Sequence, residues 1–270
     1  MRLFLFLIML NAAVCCDVRA QVTFKPLSEM TTEANRFVVD ELGNIYLMTG
    51  MSIERRNAVG TGVFRASELQ WGEFHDLDVT DPLRPFAHFP ASGKVVFFDN
   101  TLSVQGSPID LFESGFDNVE WMCGSRGDGF WLWDARNSEL VRVDRSFKKR
   151  YASGNLSVLL NSELHPIGMM ERGSFLYVMC DDETIHVFDM FGAWKKRIAA
   201  NNLSSWMADA GHLYLFHKDG TLEAMDTRYW LSERMGMPQI AGSFSYQASR
   251  IYILSEGHLR IFEIVENTRN

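Results

Sequence analysis

An all-β fold, a six-bladed β-propeller, is what this chain predicts, and three features of its sequence carry that reading. One short pattern recurs: "GFWLWDARNSELVRVD", "SFLYVMCDDETIHVFD" and "HLYLFHKDGTLEAMD" each join an aromatic-centred apolar run, a polar turn and a second run closed by an acid. The runs are rich in β-branched and aromatic residues in short alternation, the mark of half-buried strands. The unit repeats about every forty residues, the size of one four-stranded blade.

Taken in order, the closing acids align best. Leu140–Asp144 matches Ile185–Asp189, Leu222–Asp226 and Leu259–Glu263, and an aromatic precedes each run: Trp131, Tyr177, Tyr214 and Tyr252. The intervening Asp, Asn, Ser and Gly supply tight or left-handed turns. Two less regular copies lie upstream, around Ile45-Tyr46-Leu47 and Val95-Val96-Phe97-Phe98, giving centres near 46, 96, 131, 177, 214 and 252. A small sheet cannot bury both faces alone, and a ring removes the bare ends of an open stack. Val22 to Leu27 reads as a lone strand that pairs with the last blade, ending at Ile264, and closes that ring. Five or seven blades stay open here, because 79–90 could hide a strand pair. No helical periodicity competes, apart from a short turn around 153–161.

The first twenty residues, "MRLFLFLIMLNAAVCCDVRA", read as a secretory signal peptide with cleavage before Gln21. Lipoprotein processing at Cys15 or Cys16 is the rival reading. Residues 21–270 then form a single propeller domain. Without Arg2, Arg19 and Asp17 it holds 24 basic and 33 acidic residues, a net charge of −9. Such a surface repels phosphate backbones, so nucleic acid is not an expected partner, and no later apolar run is long enough to span a membrane. Cys123 and Cys180 sit on different repeats, and either a single bridge or two buried thiols fits them.

Signatures of chemistry are few. There is no G-x-S-x-G, no H-E-x-x-H, no phosphate loop and no dinucleotide fingerprint. The seven histidines are scattered without zinc spacing and read as turn or surface residues. Asp144, Asp189, Asp226 and Glu263 read as turn caps in preference to a cation ring. "SRGDG" at Ser125–Gly129 reads as a Gly-rich turn, its tripeptide match to integrin ligands being short enough to arise by chance. Two stretches stand out as partner-contact loops. The first is "DVTDPLRPFAHFPASG", with Pro82, Arg84, Phe86 and Phe89, whose phenylalanines fit an inter-blade core as well as an exposed ledge. The second is "RYWLSERMGMP", with Tyr229, Trp230 and Met235. No catalytic, cofactor or metal residues are assigned.

"VVDELGNIYLMTG", "DPLRPFAHFP", "VVFFDNTLS" and "IHVFDMFGAWKK" resemble secreted propeller proteins of Bacteroidota, a group associated with the plug subunit of the type 9 secretion translocon. The likeness runs from about Phe37 to Ile264. It implies a periplasmic, non-catalytic protein that closes or docks on a large outer-membrane barrel. Two rival expectations stand beside it. One is a lactonase-like hydrolase with a divalent ion in the central channel. The other is a carbohydrate-binding or sensory propeller that stacks sugars on Trp71, Trp194 or Trp230.

Overall fold

Phe130-Trp131-Leu132-Trp133 and Leu176-Tyr177-Val178-Met179 carry no polar position on either side of the strand. A strand written that way must be covered on both faces. The computed structural model, which describes residues 21–67, 70–125, 127, 129–237 and 242–267, shows how this is met. Six four-stranded antiparallel sheets stand in a ring, each running from an inner strand at the axis to an outer strand at the rim. The fold is the six-bladed propeller expected from the repeat.

Successive side chains of one strand point to opposite faces, and here the two faces meet different neighbours. Phe130 and Leu132 join Phe86 and Phe97 of the preceding blade. Trp131 and Trp133 join Leu176 and Phe188 of the following one. Six such apolar clusters fill the six inter-blade interfaces among the described residues. The second strands are thus buried on both faces, not half-buried as their alternation suggested. Each fully buried large side chain contributes about 1.5–3 kcal/mol of hydrophobic stabilisation.

The ring is closed as expected, and the clasp is longer than Val22 to Leu27. Gln21–Thr31 runs antiparallel to His258–Asn267, from Gln21 opposite Asn267 to Thr31 opposite His258, and forms the outer strand of the last blade. Pro26 costs nothing there: it sits on the rim beside a register shift, where no ladder bond is required of it.

The second blade corrects the sequence reading. Its inner strand is only Leu77–Asp78, its second strand is Phe86–Phe89, and Lys94–Phe97 is the third strand, not the second. The centre placed near 96 therefore belongs near 87. Pro85 and Pro90 flank the Phe86–Phe89 strand without interrupting it, Pro90 opening a 3-10 turn to Ser92. The short turn expected around 153–161 is a five-residue helix, Leu156–Leu160, capped by the Asn155 side chain. Cys123 and Cys180 are buried, unbridged thiols in one inter-blade cluster.

The turn acids behave as caps. Asp144 accepts the N–H groups of Ser146 and Lys148, Asp189 those of Phe191 and Ala193, and Asp226 those of Arg228 and Tyr229. Asn57 and Asp99 do the same at the matching turns of the first two blades. Glu263 is the exception. In its blade the outer strand comes from the start of the chain, so no turn follows it to be capped. Deleting residues 21–31 is expected to lower the urea midpoint strongly and to broaden the transition, because the last blade loses its outer strand. Unfolding followed by tryptophan fluorescence checks this, and an unchanged midpoint would count against the clasp.

Candidate functional site

A meandering blade sends two kinds of connection to each side of the disc. The upper face carries the blade-to-blade links and the turns between second and third strands. The lower face carries the turns between first and second strands and between third and outer strands. Pro82 and Arg84 lie in a first-to-second turn of blade two, and Tyr229 and Trp230 in a third-to-outer turn of blade five, so both loops singled out in the sequence share the lower face.

Within those loops the exposed residues are not the ones expected. Pro82 is buried and Arg84 half-buried, its guanidinium 4.2 Å from the centre of the Phe97 ring. Phe86 and Phe89 belong to the inter-blade core at 5 % and 0 % exposure. Trp230 is half-buried against Phe175, with the Lys196 ammonium 4.2 Å from its ring centre. Met235 lies half-buried on the outer strand Ser232–Gly236 and packs between the last two blades. Only Tyr229 is fully presented, at 71 % exposure, beside the unanticipated Leu231, also at 71 %, and Leu83 at 66 %.

The lower face collects more of such groups. Among the described residues Leu42, Val59, Val63, Leu83, Val104, Met190, Phe191, Tyr229 and Leu231 are exposed in its turns. The described upper-face connections present four: Met51, Phe112, Val158 and Leu159. Charge follows the opposite distribution. Described upper connections hold eleven carboxylates against Arg136 and Lys218, whereas lower turns hold six against Arg84, Arg145, Lys148 and Arg228. Five of those six, Asp40, Asp81, Asp99, Asp144 and Asp209, accept N–H groups of their own turns. A cleft of about 370 Å³ opens there between the turns of the first three blades, with Pro82, Arg84 and Gly127 in its wall. Arg126 and Asp128 of the "RGD" triplet lie outside the described residues.

Along the axis runs a channel of about 360 Å³ to which all six inner strands contribute. Side chains tie its wall together across the blades. Asp78 accepts the Gly124 N–H at 2.6 Å, Met170 sulfur that of Ala208, Ser205 Oγ that of Phe244 at 2.9 Å, and Met207 sulfur that of Tyr246. Ser125 Oγ donates to Glu171 Oε2 at 2.6 Å between blades three and four, Arg36 donates to the carbonyls of Phe74 and His75, and Gln247 to that of Glu41, completing the circle. At the lower mouth, Arg172 donates to Thr80 Oγ1 at 2.9 Å.

Because the inner strand of blade two has two residues, the channel wall there is finished by the loop holding His75 and Asp76 and by His88 of the second strand. The histidines are therefore not all surface groups: His88 is 6 % exposed, with Nε2 lacking any hydrogen-bond partner. Burial, and then repulsion from His75, push its pKa down to about 3, so the ring is neutral. The His75 ring packs tilted on Trp121, with centroids 4.4 Å apart, and burial lowers its pKa as well. Asp76 is exposed to the channel yet enclosed by its wall, and desolvation there raises its pKa to about 6 against the opposing Leu77 N–H and Arg36. None of this was legible from spacing, since His75 and Asp76 lie in a loop and their partners Arg36 and Trp121 come from the neighbouring blades.

Trp71, Trp194 and Trp230 form no common platform: Trp71 packs on Phe89 in the upper link, Trp194 donates to His186, and Trp230 covers Phe175. Among the described residues no three His, Cys, Asp or Glu side chains converge as a metal centre, and no helix is long and apolar enough to cross a membrane.

No family model and no curated protein matches the chain. Likeness to solved structures is broad, with 1017 matching chains. Catalytically inactive virginiamycin B lyase from Staphylococcus aureus, crystallised with quinupristin, is similar at 10% identity and a TM-score of 0.58, over 92% of this chain and 100% of that one. A chain of the mitotic checkpoint complex is similar at 11% identity and 0.56, over 98% and 99%. BBS1N, crystallised with ARL6DN, is similar at 11% identity and 0.55, over 88% and 79%. At such identities the likeness is one of fold, and the fold serves an enzyme and protein complexes alike.

A carboxyl whose folded pKa exceeds its unfolded value favours the fold while protonated, and that contribution is lost as pH rises through the folded value. For Asp76 the window runs from its ordinary 3.8 up to about 6. Asp76→Asn is thus expected to raise the thermal midpoint at pH 7.5 and to have no effect at pH 3.5, as read by calorimetry at both values.

Proposed function

We propose that the chain is an exported, non-catalytic propeller that binds another protein of the cell envelope through its lower face. The observation that carries this is the concentration of exposed apolar side chains there, nine against four on the upper face among the described residues. Apolar groups presented from turns of several blades, on a disc whose lower acids are tied to their own backbone, form the anchor set of a protein interface. The resemblance to secreted Bacteroidota propellers suggests the partner: a large outer-membrane barrel, that of the type 9 secretion translocon, whose periplasmic mouth a rigid disc could occlude. The signal peptide reading of residues 1–20 supports export to the periplasm and leaves 21–270 as the acting domain. Mechanism is then steric, with Leu83, Tyr229 and Leu231 as anchors and Arg84 in the cleft beside them.

Gentle affinity isolation from detergent-solubilised envelope is expected to recover a large barrel protein with the chain. Leu83→Asp with Leu231→Asp should abolish that recovery, because losing two anchors worth about 2 kcal/mol each weakens the affinity roughly a thousandfold. Thermal unfolding of the variant should stay unchanged. Recovery only as a free monomer would contradict the proposal.

A further inference from the structure

One basic triplet is written twice on the rim of the disc. Lys148-Lys149-Arg150 leads into the outer strand of blade three, Lys149–Ala152, and Lys195-Lys196-Arg197 lies in that of blade four, Trp194–Ala199. The other four outer strands hold three bases, Lys25, Arg65 and Arg234, against three acids, Glu29, Asp110 and Glu233. The two basic strands are joined into one surface. Arg142 Nη1 donates to the Met190 carbonyl at 3.3 Å, and Tyr151 meets the Phe191 ring edge to face at 5.4 Å. A Cβ on Gly192 would stand 3.4 Å from Trp131, so the 189–193 turn of blade four closes against blade three. Three exposed rings, Tyr151, Phe191 and Trp194, stand among these bases. The acids facing them are recessed. Glu139, Asp144 and Asp189 pair with Lys149, Arg150 and Lys195, but the acids are 18–27 % exposed and their partners 45–54 %, so the outermost charge is positive. Asp134 and Asp182, in the upper turns of the two blades, are bonded there to Asn137 and Thr184. Lys196 is held over Trp230, whereas Lys148 and Arg197 have no ion pair among the described residues. Neither the channel nor the lower cleft has any of these rings or triplet bases in its wall, and the patch belongs to the open rim.

We infer that the rim of blades three and four docks on an anionic membrane surface, with Lys148, Lys195 and Arg197 at the lipid headgroups and Tyr151, Phe191 and Trp194 at the interfacial level. Trp and Tyr rings settle at the headgroup level, where an apolar body and a polar tip are both satisfied. Bases beside them draw on the negative potential of the leaflet. An acidic polypeptide matches the charge but leaves three rings facing water, and a bilayer interface takes both. The net charge of −9 opposes a seat through the acidic upper connections, so the rim fixes which edge of the disc turns to the lipid. An edge-on seat leaves Leu83, Tyr229 and Leu231 uncovered. The inference therefore goes beyond the proposed lower-face interface and does not rest on it.

Co-sedimentation of residues 21–270, which hold the whole ring, with lipid vesicles tests it. Binding to vesicles of phosphatidylglycerol and phosphatidylcholine in equal parts, and none to phosphatidylcholine alone, is expected, with loss at high salt. Lys148→Glu with Arg197→Glu should weaken that binding at least about tenfold. Lys25→Glu with Lys218→Glu, an equal change of charge elsewhere on the surface, should weaken it less than about twofold. Brominated phosphatidylglycerol should quench part of the tryptophan fluorescence, and Trp194→Phe should remove most of that quenching. Equal binding to both vesicle types, binding to neither, unchanged affinity in the Lys148→Glu, Arg197→Glu variant, or unchanged quenching in Trp194→Phe would overturn the site. Binding of soluble polyglutamate without binding of vesicles would overturn it in favour of an acidic polypeptide.

Discussion

Every blade depends on its neighbours to cover both of its faces. Trp131 and Phe130, adjacent on one strand, are buried against different blades, and the same holds for Tyr46 and Ile45. No blade can leave the ring without exposing two apolar sheets. The pairing of Gln21–Thr31 with His258–Asn267 converts that mutual dependence into a closed circle. On the inner side, where strand edges face the channel, side-chain acceptors such as Asp78, Ser205 and Met207 satisfy N–H groups of the next blade. Unpaired N–H groups in the wall would each cost about 1–3 kcal/mol.

That closed circle is also what separates the two faces. A meander fixes which turns emerge on which side, so residues far apart in the chain, such as Leu83 and Leu231, share one surface. Short-range turn chemistry then sets its character. Acids on the lower face are placed to cap their own turns, and their charge is bound to backbone N–H groups. Acids on the upper face more often project from longer links, although some are engaged there too, Asp117 with Arg136 and Asp219 with the Thr221 N–H. The shortened inner strand of blade two adds the one break in the channel's regular wall, and the unpartnered His88 sits at that break.

Where the repeat was regular, the sequence announced the architecture well. Trp131, Tyr177, Tyr214 and Tyr252 marked second strands, and the capping roles of Asp144, Asp189 and Asp226 followed from their positions. Blade two was misread because its inner strand is too short to show a period and its second strand is framed by prolines that looked like breaks. The two loops singled out share one face, and of the two readings open for Phe86 and Phe89 the inter-blade core is the one realised. Phe86, Phe89 and Trp230 gain more from burial between blades than solvent would allow, leaving Leu83, Tyr229 and Leu231 outside. The channel wall had no local signature at all, since Arg36, Asp76, His88 and Glu120 come from three blades and share it only through the curvature of the ring.

Site-specific photo-crosslinking in intact cells tests the orientation at the centre of this account. A photoreactive residue would replace Leu83 or Tyr229 on the lower face, and Phe112 or Val158 on the upper. Adducts with a large envelope protein from the first pair, and none from the second, are predicted. Adducts of that size from the upper positions alone, or from all four equally, would contradict it.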